Sequence, residues 1–418
     1  MRKERLIVPI IVTVALVWAV AQLISSVLFE RSLNQALEDL EARGEWRVSR
    51  PENRQGWLTS EGRLVLAPLL GRPWQLELTY EARHGLLSTD VQGTLVPRLG
   101  SALQKALGEV SALSLPRWEG RYHTLSGKSE LRLALAPFVI QQGGRELDVR
   151  GARVRLEGVF GDWRLRALFD QLTLSDGPAF LTFGPTVLES RYTYTEDAYH
   201  FIQRDHLTID STRLYYPEFE VTAAPLDLQS QMVLDESELR LKGRLELGEV
   251  HVPSEAPDTA LLSGEIEAEL SRLNADAVRE IIRRVRLEAA WGDPERPMAE
   301  GVMARLEPEV RKLLSDSPRL DVTHIALQSP LLGINVAADG ALFFDGRRVD
   351  TLALEDLRDP RTRRAWRERI DGDFVWYDAP TVAALWLGLP LGTRELQFDV
   401  IRGQWRVNGR PMPELWPQ

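Results

Sequence analysis

Glu238-Leu239-Arg240-Leu241-Lys242-Gly243-Arg244-Leu245-Glu246-Leu247 sets leucine against charge almost residue by residue. Successive side chains of a strand point to opposite faces. Leu239, Leu241, Leu245 and Leu247 therefore share one face, and Glu238, Arg240, Lys242, Arg244 and Glu246 the other. A strand with one dry and one solvated face belongs in an antiparallel sheet. The pattern recurs upstream. Ala152, Val154 and Leu156 alternate with Arg153, Arg155 and Glu157, and Trp163, Leu165, Ala167 and Phe169 follow suit. Gly161-Asp162 between the two runs predicts a hairpin. Leu64–Leu66, Leu76–Leu78 and Ile266–Leu270 add further strands, so residues 45–270 read as a β-rich domain. One helical interruption is expected where Leu99, Leu103 and Leu107 recur every four residues.

Beyond residue 270 the period changes. Asn274 is placed to cap a helix, with Asp276 in its first turn facing the positive end of the dipole. Leu273, Ala277, Val278, Ile281, Ile282 and Val285 would form its apolar face. A second amphipathic helix carries Met303, Leu306, Val310, Leu313 and Leu314. Strands return at Leu320–Leu327 and Ile334–Phe344. A basic helical stretch, Arg361–Arg369, precedes a strand at Phe374–Tyr377, a helix at Thr381–Leu387 and a closing hairpin at Leu396–Val407. Residues 271–418 thus read as a mixed α/β domain. No internal repeat at a fixed short period is visible.

The N-terminus sets Arg2-Lys3-Glu4-Arg5 before an uncharged run from Leu6 to Phe29. About 20 apolar residues cross a bilayer as a helix. Polar residues within the run are confined to Thr13, Gln22, Ser25 and Ser26. The expectation is a cytoplasmic stub at 1–5, a transmembrane helix at 6–29 and a helical stalk at 30–44, its face formed by Leu33, Ala36, Leu37 and Leu40. The basic stub places the body across the inner membrane, in the periplasm. Ala19-Val20-Ala21 resembles a signal-peptide cleavage site, but the run continues past it to Phe29, which favours a retained signal-anchor.

The chain has 418 residues, a formal net charge of -10 and no cysteine. That length calls for more than one packed unit. The negative balance argues against nucleic acid as a partner, and the absence of cysteine excludes disulfides and thiolate chemistry. Six histidines are present, none in a metal-binding spacing. Asp205, His200 and His206 form the sole local cluster, and on one strand the two histidines would lie roughly 20 Å apart. No nucleophile elbow, Walker loop or dinucleotide fingerprint occurs. The arginines of 361–369 read as a solvated helix face pairing with Glu355, Asp356, Asp359 and Glu368, with an anion contact as the sharper alternative. Trp376, Trp386, Trp405 and Trp416 read as core. No catalytic, cofactor-binding or metal residue is assigned, and no cofactor is expected.

The order of elements resembles that of the YdgA-like bacterial envelope proteins. The likeness rests on the N-terminal anchor, the helix Leu33–Leu40 and Gln55-Gly56-Trp57-Leu58-Thr59-Ser60-Glu61-Gly62. It extends to the paired helices around Ala277–Arg284 and Met298–Leu314, and to a Gly-x-x-x-x-Asn-Gly segment within Gly403–Met412. The resemblance implies an inner-membrane-anchored periplasmic protein of unknown function, with no catalytic residues to carry over.

The fold expected is α+β: one N-terminal transmembrane helix, then a mainly antiparallel β body with helices concentrated in the C-terminal part. The leading function is non-enzymatic, scaffolding an envelope partner or holding an apolar ligand such as lipid. The alternatives are an envelope-polymer hydrolase with paired carboxylates and a structural assembly factor. The partners expected are the inner membrane and a lipid or envelope protein, with a homo-oligomer left open.

Overall fold

A computed structural model describes residues 4–42, 46–68, 74–99, 109–112, 116–142, 144–195, 200–252, 260–291, 306–331, 333–352 and 359–412. For 4–16, 109–112 and 285–291 the backbone alone is described. Helix α1 (Glu4–Ala42) is continuous over 39 residues, so the expected span and stalk form one helix. Strands β1 (Trp46–Gln55), β2 (Thr59–Pro68), β3 (Trp74–His84) and β4 (Ser88–Leu99) follow as a meander. The helical interruption expected at 99–107 lies, from residue 100, outside the described residues.

After β5 (Glu109–Ala112) a unit of one long and one short hairpin recurs. The first is β6 (Arg117–His123), β7 (Ser129–Leu135), β8 (Phe138–Gln142) and β9 (Arg145–Val149). The second is β10 (Ala152–Val159), β11 (Asp162–Phe169), β12 (Leu172–Asp176) and β13 (Ala179–Phe183). The third is β14 (Thr186–Tyr194), β15 (Phe201–Ile209), β16 (Thr212–Tyr216) and β17 (Phe219–Ala223). Strands β18 (Leu226–Leu234) and β19 (Glu238–His251) open a fourth. The sequence hid this repeat because strand length and turn placement recur, while residue identity does not.

The chain continues with β20 (Leu262–Asn274), α2 (Ala275–Trp291), α3 (Glu307–Leu313), β21 (Arg319–Ser329) and β22 (Ile334–Phe344). Then come α4 (Pro360–Arg367), β23 (Ile370–Tyr377), α5 (Thr381–Trp386), β24 (Leu396–Ile401), β25 (Gln404–Val407) and β26 (Arg410–Pro411). Asn274 caps α2 as expected, its Oδ1 accepting the Ala277 N–H at 2.9 Å. Helix is not concentrated at the C-terminal end. The largest helix is N-terminal, and those after residue 274 have 17, 7, 8 and 6 residues. Strands with period-two patterning fill most of the remainder.

All strand pairings among the described residues are antiparallel. The long strands pair in the order β1-β2-β3-β4-β6-β7-β10-β11-β14-β15-β18-β19-β20-β21-β22-β23-β24, without a break at residue 270. The short hairpins pair with one another as β5-β8-β9-β12-β13-β16-β17 and rejoin the end of β19. At each passage between a long and a short strand two residues leave both ladders: Ala136-Pro137, Arg150-Gly151, Asp170-Gln171, Gly184-Pro185, Asp210-Ser211 and Ala224-Pro225. Backbone bonds such as Asp210 N to Pro185 O, 2.9 Å, carry the sheet across the corner. Proline cannot donate to a ladder, so the corner is where it fits.

Cross-strand register aligns one row of side chains across the long strands. It reads Gly62, Tyr80, Gly93, Trp118, Leu133, Val154, Ala167, Leu188, Leu207, Leu228, Leu245, Ile266, Ile325, Ala338, Trp376, Leu396. Every member is glycine or apolar. At about 4.8 Å between strands, the stretch from Leu133 to Leu396 runs for about 50 Å. Gly93 is required by its neighbours: a Cβ there would lie 1.8 Å from Thr79 O and 2.8 Å from Trp118 Nε1.

The second half of α1 lies on the N-terminal end of this apolar face. Phe29 is buried with Leu64, Tyr80, Ala82, Val91 and Tyr122, and Leu33 and Leu37 pack beside them. Three polar side chains of the expected membrane run are docking groups. Gln22 Nε2 donates to His84 O at 3.1 Å, Ser25 Oγ meets Thr124 Oγ1 at 2.8 Å, and Ser26 Oγ donates to Gly56 O at 2.8 Å. Below them Glu30 pairs with Arg50 at 2.8 Å, both side chains largely buried. Arg50 also donates to Asn34 and to the Tyr80 hydroxyl. A bulge between Ser49 and Glu52, containing Pro51 on the edge strand, aims Arg50 inward. Among the described residues no helix is long and apolar enough to cross a membrane. Much of the expected span 6–29 falls on residues 4–16, whose side chains lie outside the described ones.

Removing one partner from a buried ion pair strands the other charge. Arg50→Ala is expected to lower unfolding stability by about 3–5 kcal/mol, read from denaturant melts. The paired replacement Glu30→Leu with Arg50→Met is expected to recover most of that loss.

Candidate functional site

Covering an apolar face is what holds a sheet in place. Here the cover is uneven. At the N-terminal end α1 buries Tyr80 and its neighbours. At the C-terminal end Ala379, Ala384, Leu389, Leu396 and Val407 form a second core with α5. Between Leu133 and Ala338 only Ala167 of the row is buried. Leu228 and Ile266 are 37% and 36% exposed, and the others are half-buried. The short-strand sheet carries its own apolar row, Leu147, Leu174, Leu181, Leu214 and Val221, of which Leu174 is exposed.

A cavity of about 190 Å3 opens where α1 ends its cover. Phe29, Leu33 and Ala36 of the helix form one wall, and Trp118, Leu131, Leu156 and Trp163 of the sheet the other. It is smaller than an ordinary ligand pocket, about 300–1,000 Å3, and its wall residues Leu131 and Leu156 stand on the same face as Leu133 and Val154 of the row. Trp118 Nε1 is buried here without an acceptor among the described residues. A buried donor of this kind is ordinarily satisfied by some group. One polar island interrupts the apolar face: Ser190, Asp205 and Ser230 stand side by side on adjacent strands. Gln203 Nε2 donates to Asp205 at 2.8 Å.

The opposite face is charged. A depression of about 740 Å3 there is lined by Arg155, Arg166, Glu189, Arg191, Lys242, Arg244 and others. Its charges form cross-strand pairs: Arg166–Glu189 at 3.3 Å, Lys242–Glu267 at 2.6 Å and Arg244–Glu265 at 2.9 Å. Exposed pairs of this sort contribute about 0–1 kcal/mol each, as expected of a solvated face. Carboxylates whose pKa is displaced are displaced downward. Hydrogen bonds from Arg98 hold Glu77 low, from Arg191 Asp162, and from Lys242 Glu267. A glycosidase's general acid needs the reverse shift.

The His200, Asp205 and His206 cluster is not brought together. Adjacent residues of β15 point to opposite faces, so Asp205 lies on the apolar side while His206 bonds Asp227 on the charged side. His200 Nε2 contacts Arg279 of α2 at 3.1 Å. Among the described residues no three His, Asp or Glu side chains are grouped to hold a metal. In α4, Asp359 caps the helix and Arg364 pairs with Glu368 at 2.7 Å. Arg369 instead donates to the carbonyl of Asp345 at 3.0 Å. Glu355, Asp356 and Trp416 lie outside the described residues. Trp376 packs in the C-terminal core as expected, but Trp386 on the short α5 is 69% exposed and Trp405 about half so. Arg402-Gly403 and Asn408-Gly409 turn with positive φ, the geometry of tight hairpins, so the Asn-Gly segment is structural.

Comparison with family models matches residues 1–351 to a family described as bacterial protein of unknown function (DUF945). No curated protein and no solved structure matches the chain.

Sequence reading did not single out His84, which lies beneath α1. Its Nε2 meets Ser60 Oγ at 2.8 Å and its Nδ1 meets Thr89 Oγ1 at 3.0 Å, with the Phe29 ring 5.7 Å away. Burial pushes its pKa below the ordinary value, against a smaller upward pull from Glu30. The unfolded chain therefore binds the proton first as pH falls. Stability is full above about pH 6.5 and declines below it, by up to about 1.4 kcal/mol per pH unit. His84→Gln is expected to flatten that part of the profile, measured by melts of both proteins between pH 8 and 5.

Proposed function

The chain belongs to this bacterial family of unknown function, and from its own geometry we propose that it is an envelope protein, anchored in the inner membrane, that holds lipid acyl chains on the open part of its sheet. The observation that carries this reading is the apolar row left without a buried cover from Leu133 to Ala338. About 43 Å of such surface in water is unfavourable by about 25 cal/mol per Å2 exposed. An acyl chain has the chemistry and the shape to cover it.

Three further features support the reading. The open face begins beside α1, at the cavity walled by Leu33, Ala36, Leu156 and Trp163, so a lipid leaving the membrane along the helix meets it first. Trp118 Nε1 offers an ester carbonyl a hydrogen bond there. The Ser190–Asp205–Ser230 island gives a headgroup hydroxyl or ammonium a polar contact within the apolar wall. The anchor reading is supported by the uncharged Leu6–Phe29 run and by the basic residues before it, which favour a body outside the cytoplasm. The resemblance to YdgA-like envelope proteins points the same way.

Lipid extracted from the purified full-length protein and quantified by mass spectrometry tests the proposal. At least one acyl lipid per chain is expected. Leu228→Glu combined with Ile266→Glu is expected to lower bound lipid about tenfold, equivalent to about 1.4 kcal/mol of affinity, with the fold of the double variant checked by its melting. Equal lipid content in the double variant, or a lipid-free chain after incubation with liposomes, would sink the idea.

A further inference from the structure

The hairpins at one end of the sheet turn beside α1, and their tips are apolar. Trp57 and Leu58 form the β1–β2 turn, Leu86 and Leu87 the β3–β4 turn, and Leu125 the β6–β7 turn. All five are exposed, Leu87 by 61% and Leu125 by 83%. Val159 and Phe160 extend the series to the β10–β11 turn. At the opposite end of the sheet the Asp176-Gly177-Pro178 turn carries no large apolar side chain, while Tyr216 and Phe219 flank Pro217-Glu218 and Leu331 and Ile334 lie at the β21–β22 turn, all four exposed. Exposed apolar residues scattered singly need no explanation, but a series on neighbouring hairpins gathered around one apolar helix does.

The tips are tied to each other and to the helix. His84 N donates to Leu58 O at 2.8 Å and Thr124 N to Leu87 O at 2.9 Å. Gln22, Ser25 and Ser26 each bind a different hairpin end, through His84 O, Thr124 and Gly56 O. The helix is thus clamped at residues 22–26. On its free side Val17, Trp18, Val20, Leu23, Ile24 and Val27 stay exposed.

Length decides what covers this collar. Above the clamp the apolar run extends from Leu6 to Ala21, which at about 1.5 Å per residue is about 24 Å. The hydrocarbon core of a bilayer is about 30 Å thick. A helix clamped at Gln22 crosses it only if the clamp is drawn several ångströms into the bilayer, and that carries the tips in as well.

We infer that the tips bearing Trp57, Leu58, Leu86, Leu87 and Leu125 insert into the lipid of the same membrane that holds α1, forming a collar that seats the body directly on the bilayer. The inference rests on the anchored reading above. It adds that no aqueous gap separates the body from the membrane, so the mouth beside Leu33 and Ala36 opens close to the lipid.

The chain has no cysteine, so single substitutions can carry a probe. Full-length Val17→Cys, Leu87→Cys, Leu125→Cys and Glu218→Cys, each labelled with an environment-sensitive fluorophore, are placed in phosphatidylcholine–phosphatidylglycerol vesicles with nitroxide-labelled lipids. Quenching at 17, 87 and 125, several-fold above that at 218, is the expected result. Quenching at 17 alone would overturn the collar and leave the anchor standing. No quenching at 17 would overturn the anchor and the collar with it. Equal quenching at all four positions would overturn the collar, since it would mean that the body has no fixed orientation on lipid.

Discussion

A sheet that aligns one apolar row across its long strands has to be covered on that side, and among the described residues buried cover lies at the two ends of the row. Strand pairing fixes that outcome. Antiparallel register puts residues of the same face opposite one another, and alternation of leucine with charge keeps them there. Shifting β10, β19 or β20 by one residue would place arginine or glutamate in the row, so there the row and the pairing enforce each other. Glu157–Arg164 and Arg166–Glu189 across the charged face follow from the same register. The result is a scaffold with one solvated side and one side that needs an apolar partner.

Helix α1 is the element that covers the N-terminal end of this face. Its second half supplies the cover for the first strands through Phe29, Leu33 and Leu37, and the Glu30–Arg50 pair fixes its height. Gln22, Ser25 and Ser26 are held by the hairpin ends, and before them Val17, Trp18 and Val20 stay exposed. His84 at the same junction, its pKa held down by burial, gives the clamp a dependence on acidity.

Much of the sheet was legible. Glu238–Leu247, Ala152–Leu156 and Trp163–Phe169 behave as their alternation requires, and Gly161-Asp162 turns the hairpin it predicts. The Asn274 cap was legible for the same reason: local chemistry decides it. Other features were not local. The recurring long and short hairpins leave no residue signature. Gln22, Ser25 and Ser26 look like tolerated polar residues in a membrane run until the partners at His84, Thr124 and Gly56 are known. Trp386 looks like core because its helix is short and its neighbours are apolar, yet only Ala384 of that helix is buried. The open face itself was invisible in one dimension, since alternation shows which side is apolar and never what lies against it.

The central claim is that lipid, and not protein, completes the apolar face. A photoreactive amino acid placed in living cells at Leu133, Leu228 and Ile325 along the row, and at Arg166 and Arg244 on the charged face, tests it most directly. The account predicts lipid adducts at the three row positions and none at the two arginine positions. Protein adducts at the row positions, or no adduct at any of them, would contradict it.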